Sequence, residues 1–355
     1  MPQGVGNALR YAFENLNAGK RLISLSQNES LRLPSPQVGD ALANAVANAH
    51  LYPDPEWAEL RNALAALHGI PASGILCGNG SMELIACLTQ TYCDDQGAVL
   101  APAHAYPFFR TAAGLARARY DTAPEVGMTA SVDALLAAVQ PDTRIVFIAN
   151  PGNPTGTRIS RAELDHLREG LRGDILLVID EAYGEFVDHL GEPLFDLVGR
   201  GDTVILRTFS KAYGLAGMRV GWGLFPENIA GEVRKVMNPN NISVAGQVAA
   251  TTALSDKAYM RETCAITARL RDGFSHRLRK AGFCMAESFT NFALIRFYDA
   301  RAAQQADATL RAEGVVARAQ SGAGLPDCLR VTVGTAEDLD LAASLLEHWA
   351  KGGKA

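Results

Sequence analysis

The sequence predicts an α/β protein, with a large domain of mostly parallel sheet flanked by helices and a smaller α+β domain. Three observations lead there. From about residue 74, short apolar runs alternate with helical stretches, the pattern of strands joined by crossover helices. The runs are apolar from end to end rather than at alternate positions, as strands covered on both faces are. After about residue 255 this rhythm stops and a different one begins.

The strand candidates are Ile75-Leu76-Cys77-Gly78, 98–103, 144–150, 174–182, 203–210 and 219–225. Helical stretches lie between them at 81–92, 131–140 and 160–171. Ser131 and Ser160 stand where helix N-caps belong, and Ser160 has Glu163 three residues on, the spacing of a capping box. A long helical pattern over 258–281 precedes the apolar runs "NFALIRF", "GVVARA" and "CLRVTVG" and a terminal helix over 336–350. The first 40 residues do not fit the parallel sheet. The expected division is therefore 40–255 for the large domain, with 1–39 and 256–355 forming a discontinuous small one.

Composition narrows the function. The 355 residues carry a net charge of -5 with no lysine- or arginine-rich block, which argues against nucleic acid and anionic membranes as partners. The longest apolar runs are strand-sized, far short of the roughly 20 residues of a membrane span, and the N-terminus lacks a signal-peptide pattern. The six cysteines are scattered without a CxxC pair, and read as reduced residues of a cytoplasmic protein. No HExxH motif or Cys/His cluster supports a metal site.

In open α/β sheets ligands bind beyond the carboxyl ends of the strands, so the residues delivered there carry the functional reading. The first run ends in Gly78-Asn79-Gly80-Ser81 at the start of a helix. That is either an anion cradle of backbone N–H groups or simply a turn with Ser81 as N-cap. The run at 144–150 ends in "NPGNPTG", whose Asn153 offers a side-chain amide from a rigid turn. The run at 174–182 ends in Asp180, with Tyr183 three residues on; a carboxylate ending a buried strand needs a cation. The run at 203–210 ends in Thr208 and Ser210, followed by Lys211 and later Arg219. Hydroxyls and a guanidinium suit a phosphate, and a lysine held from water is a good imine-forming amine. An anion cradle, an amide, a buried carboxylate with a tyrosine, and a lysine among phosphate ligands together match pyridoxal 5'-phosphate.

"NPGNPTG", "DEAYGEF" and "TFSKAYGLAGMRVG", in that order and spacing, resemble the fold-type I pyridoxal-phosphate enzymes, aminotransferase class I/II, and most of all the histidinol-phosphate aminotransferase family. The resemblance runs from about Tyr11 to the C-terminal helix. It implies that Lys211 is the Schiff-base lysine and proton shuttle. Asp180 then stands at the pyridinium nitrogen and Tyr183 and Asn153 at the phenolic oxygen. Gly80, Ser81, Thr208, Ser210 and Arg219 form the phosphate cup, and Tyr106 stacks on the cofactor face. Tyr52 matches a tyrosine that reaches the cofactor phosphate of a neighbouring subunit, which implies a homodimer. Arg330 matches the arginine for the substrate's acidic group, and Tyr11 and Arg318 match substrate-phosphate ligands. Asn28 and Glu29 match an asparagine-rich signature at the substrate entrance.

The chain departs from the family pattern at Met82, where an aspartate is usual, in "NESLRLPSP", which lacks a proline and a glycine, and at Phe109, where a second tyrosine is common. These changes leave the core chemistry and put the substrate in question. The resemblance therefore implies transfer of an amino group between an amine, histidinol phosphate first, and a 2-oxo acid such as 2-oxoglutarate. The alternatives are an aminotransferase for aromatic or other amino acids, or a phosphothreonine-type decarboxylase on the same scaffold. A non-enzymatic regulator is disfavoured because Lys211 and Asp180 are present and no added DNA-binding domain fits in the chain.

Overall fold

The computed structural model describes residues 21–352. A short strand β1 (Ile23–Ser24) and helices α1 (Pro36–Ala45) and α2 (Ala58–His68) lead into β2 (Ile75–Gly78), α3 (Ser81–Tyr92), β3 (Ala98–Pro102), α4 (Pro107–Leu115) and β4 (Arg119–Ala123). A small ribbon of β5 (Glu125–Val126) and β6 (Thr129–Ala130) precedes α5 (Val132–Ala138), β7 (Thr143–Ala149), α6 (Arg161–Gly170) and β8 (Leu176–Asp180). Next come β9 (Thr203–Thr208), β10 (Gly221–Leu224), α7 (Glu227–Arg234), α8 (Val244–Ser255) and α9 (Lys257–Lys280). The last elements are β11 (Cys284–Met285), β12 (Phe292–Arg296), α10 (Ala300–Ala312), β13 (Val315–Val316), β14 (Arg318–Gln320), β15 (Leu325–Thr332) and α11 (Ala336–Gly352).

The larger sheet has seven strands in the order β2-β10-β9-β8-β7-β3-β4. β10 runs antiparallel to both its neighbours and the other pairs are parallel. Every residue of β2, β3, β8, β9 and β10 is buried, so helices cover both faces. β4 is the exception. It closes one edge, exposes Arg119 and Thr122, and its sequence "RYDTA" has no apolar run, which is why periodicity alone passes over it. The caps at Ser131 and Ser160 form: Ser131 accepts from the Ala134 amide, and Ser160 and Glu163 make a reciprocal capping box. At α3 the cap is Gly80, with φ 73° and ψ 162°, and Ser81 is the first helical residue rather than the N-cap.

A second, antiparallel sheet has the order β11-β12-β15-β14. β1 pairs in parallel with β13, and Leu25 joins a core of its own with Phe274, Leu310, Val331 and Leu346. α9 links the two cores: Met260 and Cys264 pack against the first, Phe274 and Leu278 belong to the second. No helix among the described residues is long and apolar enough to cross a membrane.

Candidate active site

The parallel strands β2, β7, β8 and β9 all end on one edge of the larger sheet, and the antiparallel β10 begins there. Gly221 is in register with both Gly78 and Thr208. The loops after β2 and β9 are therefore brought side by side. The approach is close enough to dictate residue type. A Cβ at Gly221 would collide with the Ser81 amide, and one at Gly80, whose φ is already left-handed, with the Arg219 guanidinium. Glu83 ties the turn down from within α3, accepting from the Asn79 amide at 2.6 Å and the Asn241 side chain at 2.7 Å.

Gly80, Ser81, Thr208, Ser210 and Arg219 thus converge. Thr208 Oγ1 donates to Ser210 Oγ at 3.0 Å, and Arg219 Nη1 donates to the same oxygen at 3.4 Å and to the Ala216 carbonyl at 3.0 Å. Arg219 itself has φ 55° and is exposed. The N-terminus of the twelve-residue α3 adds its unpaired backbone N–H groups to the same place.

Lys211 follows Ser210. Its Nζ donates to the Asn28 carbonyl at 3.0 Å. Burial, and next the positive charge of Arg330, hold the ammonium down to about 8 from its usual 10.5, while Glu29 pulls the other way. Asp180 ends β8, buried, with Oδ1 accepting from the Ala182 amide at 3.0 Å, and it makes no ion pair among the described residues. Burial drives its carboxyl up to about 7. Tyr183 is buried against Phe292, rings edge to face at 5.4 Å, and its hydroxyl accepts from Asn28 Nδ2 at 2.8 Å. Tyr106 caps α4; burial raises its phenol well above the usual range, with Asp180 and Tyr183 adding to the shift. Phe109, one turn on, is stacked on Phe147 at 4.6 Å and belongs to the core. Met82 is half-buried in the first turn of α3.

Asn150 braces the loop after β7, accepting from the Ile159 amide at 2.9 Å and donating to the Ile159 carbonyl at 3.1 Å. Asn153 Oδ1 accepts from Arg330 Nη1 at 2.6 Å. Arg330, on β15, also reaches the Ser26 carbonyl at 2.8 Å, lies 5.3 Å from the Phe292 ring centroid, and keeps a buried Nε with no hydrogen-bond partner among the described residues. Burial lowers its guanidinium to about 10, and Arg318, directly opposite in the β14–β15 register, lowers it further. Like charges opposite one another on a sheet repel.

Of the residues singled out from sequence, Tyr11 lies outside those described. Tyr52 stands apart, 86% exposed beside exposed Leu51. Asn28 is deeper than an entrance residue: it is buried and touches both Lys211 and Tyr183. Three residues had no motif to announce them. Asn291 donates to the Asn28 and Glu29 carbonyls, Thr332 bonds Asn28, and Arg207 pairs with Glu181, Glu185 and Asp188.

The profile of the family described as "Aminotransferase class I and II" matches residues 20–346. The chain is 43% identical over 335 residues, 93% of this chain and 92% of the other, to a histidinol-phosphate aminotransferase of Paramagnetospirillum magneticum. It is 39% identical over 94% of its length and 92% of the relative's to one of Rhodospirillum centenum. Among solved structures, the histidinol-phosphate aminotransferase of Sinorhizobium meliloti in complex with pyridoxal-5'-phosphate superposes with a TM-score of 0.88 at 29% identity, covering 93% of this chain and 90% of that one. The convergence of lysine, buried carboxylate and anion cradle on one sheet edge is thus accompanied by a match along most of the sequence, and the chain belongs to the class I and II aminotransferases.

Proposed function

We propose that this pyridoxal-phosphate-dependent aminotransferase takes histidinol phosphate as its amine and a 2-oxo acid, 2-oxoglutarate first, as acceptor. The observation that carries the substrate is Arg330 facing Arg318 across β14 and β15, with a buried unpartnered Nε on Arg330. A buried guanidinium with an N–H still to donate, on a strand edge of positive charge, suits a phosphate better than a hydrocarbon or a single amide. The names of the relatives agree. Tyr11, outside the described residues, is the third proposed phosphate ligand.

The residues fit the cofactor. Asp180 is a buried carboxylate without an ion pair among the described residues, and a cationic ring nitrogen beside it would restore its ionised form. Gly80, Ser81, Thr208, Ser210 and Arg219 would hold the phosphate, and Asn153 and Tyr183 the ring's phenolic oxygen. Tyr106 would cover one ring face. When bound, pyridoxal phosphate supplies an electron sink for the substrate's α-carbon. Lys211, with an ammonium near 8, carries a neutral fraction at physiological pH, and so would take the proton from the substrate's α-carbon and deliver it two bonds away, at the cofactor's aldehyde carbon. Arg330 fixes the substrate's anionic end and thereby the orientation of the bond to be broken.

Three coarser readings accompany this one. A homodimer with Tyr52 contributed across the interface is supported by exposed Leu33, Val46, Leu51 and Tyr52. The division into 40–255 and 1–39 with 256–355 is supported by the two cores, although Phe292 packs in the first. A cytoplasmic location is supported by cysteines that are all unpaired.

The test is the absorbance of the cofactor-loaded protein before and after L-histidinol phosphate, with no oxo acid present. Bleaching of the yellow band, restored by 2-oxoglutarate, is the expected result. A band unmoved by histidinol phosphate but bleached by aromatic amino acids overturns the substrate. Release of carbon dioxide from phosphothreonine, without any need for an oxo acid, overturns amino transfer.

A further inference from the structure

We propose that Asn28 is a positioning residue that fixes the direction of the Tyr183 hydroxyl and receives the Lys211 side chain, and through Tyr183 sets the acidity of the bound cofactor. This rests on the pyridoxal-phosphate reading above and goes beyond the entrance role that the sequence implies.

The orientation of the Asn28 amide follows from its neighbours. Thr332 Oγ1 accepts from the Asn28 backbone N–H at 2.9 Å, so its own proton is available to donate, and it donates to Asn28 Oδ1 at 3.1 Å. The oxygen end of the amide is thereby assigned to Thr332, and the nitrogen end faces Tyr183, donating to its hydroxyl at 2.8 Å. A phenol that accepts from an N–H keeps its one proton for another partner. Tyr183 is thus preset as a donor toward the site rather than toward its own scaffold.

The backbone of Asn28 serves the second half of the proposal. Its φ of 54° is left-handed, a conformation asparagine tolerates better than most residues, and it turns the carbonyl toward Lys211 Nζ at 3.0 Å. Asn291 Nδ2 shares that carbonyl at 3.1 Å and the Glu29 carbonyl at 3.0 Å, which pins the turn from the β12 side. Asn28 therefore connects β15, the strand that carries Arg330, to both Tyr183 and Lys211.

A donor hydrogen bond from Tyr183 stabilises the ionised phenolic oxygen of the cofactor and weakens its hold on the neighbouring proton. Loss of that bond raises the pH at which the yellow band changes. The experiment is a spectral pH titration of the cofactor-loaded wild type, Asn28→Gly, Asn28→Asp, Tyr183→Phe and the Asn28→Gly/Tyr183→Phe double variant. Glycine keeps the left-handed backbone and the carbonyl while removing the amide, and so preserves folding. Aspartate puts an acceptor where the donor stood and draws the Tyr183 proton to itself. The expected result is a midpoint raised by roughly half a unit to one unit in Asn28→Gly, as loss of one hydrogen bond implies, and raised further in Asn28→Asp. In the Tyr183→Phe background the Asn28 change has no added effect. A wild-type midpoint in both Asn28 variants, or an additive shift in the double variant, overturns the proposal. A wild-type protein that develops no yellow band overturns instead the cofactor reading beneath it.

Discussion

Asp180 and Glu181 are neighbours at the end of β8, both buried, and they meet opposite electrostatic surroundings. Glu181 points to the back of the sheet, where Arg207 Nε reaches it at 3.1 Å. The same guanidinium bonds Asp188 at 2.9 Å and lies 3.7 Å from Glu185, whose carboxyl burial pushes up to about 8. Gly184 passes so close to Arg207 that a Cβ there would press on the guanidinium at 2.9 Å. Asp180 points to the front, where the Ala182 amide is its one hydrogen-bond partner among the described residues and Lys211 offers a weak opposing charge without an ion pair. Among the described residues one carboxylate has an ion-pair partner and the other has none. Burial is common to both, so burial alone does not mark a functional acid. What separates them is whether the fold itself supplies the opposing charge.

That contrast yields four predictions. The largest concerns the front. Lys211→Ala lowers kcat by about 10⁴-fold or more, and Asp180→Asn by roughly 10²–10³-fold, with thermal unfolding little changed when it is compared at about pH 4, where the native Asp180 is protonated; steady-state turnover beside melting curves checks both. A large melting loss in either would erase the distinction between front and back. Second, Arg207→Met leaves Glu181 and Glu185 buried without their cation and costs about 3–5 kcal/mol in denaturant unfolding. The protein that remains folded still binds cofactor.

The third prediction is a pH dependence. In the cofactor-free protein Asp180 rises from its ordinary 3.8 to about 7. The folded state thus holds this proton more tightly than the unfolded one. Its contribution is fully present below about pH 4 and is lost as pH rises through about 7, by at most about 4 kcal/mol. Unfolding of Asp180→Asn across that window lacks this slope, and cofactor loading of the wild type diminishes it; an unchanged slope in the variant would assign the acid elsewhere. The smallest effect is a control remote from both sides. Ser160→Ala removes half of a capping box, costs about 1 kcal/mol and leaves turnover unaltered.

The sheet is legible because β2, β3 and β7 to β10 each hold a short, largely apolar run, and the chemistry because it sits where those runs stop. The antiparallel sense of β10 was not readable, since strand direction is set by the return path of the connection and not by the residues of the strand. Arg207 was passed over inside "TVILRT", where an arginine looks like an interruption and is in fact paired behind the sheet. The depth of Asn28 was hidden for another reason: its hydrogen bond to Thr332 spans 304 residues, and nothing local announces it.

The hairpin of β9 and β10 carries Thr208, Ser210, Lys211 and Arg219 on one connection, closed at its base by Phe209 N–H to the Val220 carbonyl at 3.0 Å. The two arginines proposed for the substrate belong to a different hairpin, β14 with β15, in the other sheet. The lysine loop and the arginine pair thus lie on two separate hairpins of the chain, joined through Asn28 and Thr332. A lineage that rewrites the second must keep Thr332, which holds Asn28 under Lys211, and a positive charge at Arg330, which helps hold the Lys211 ammonium down.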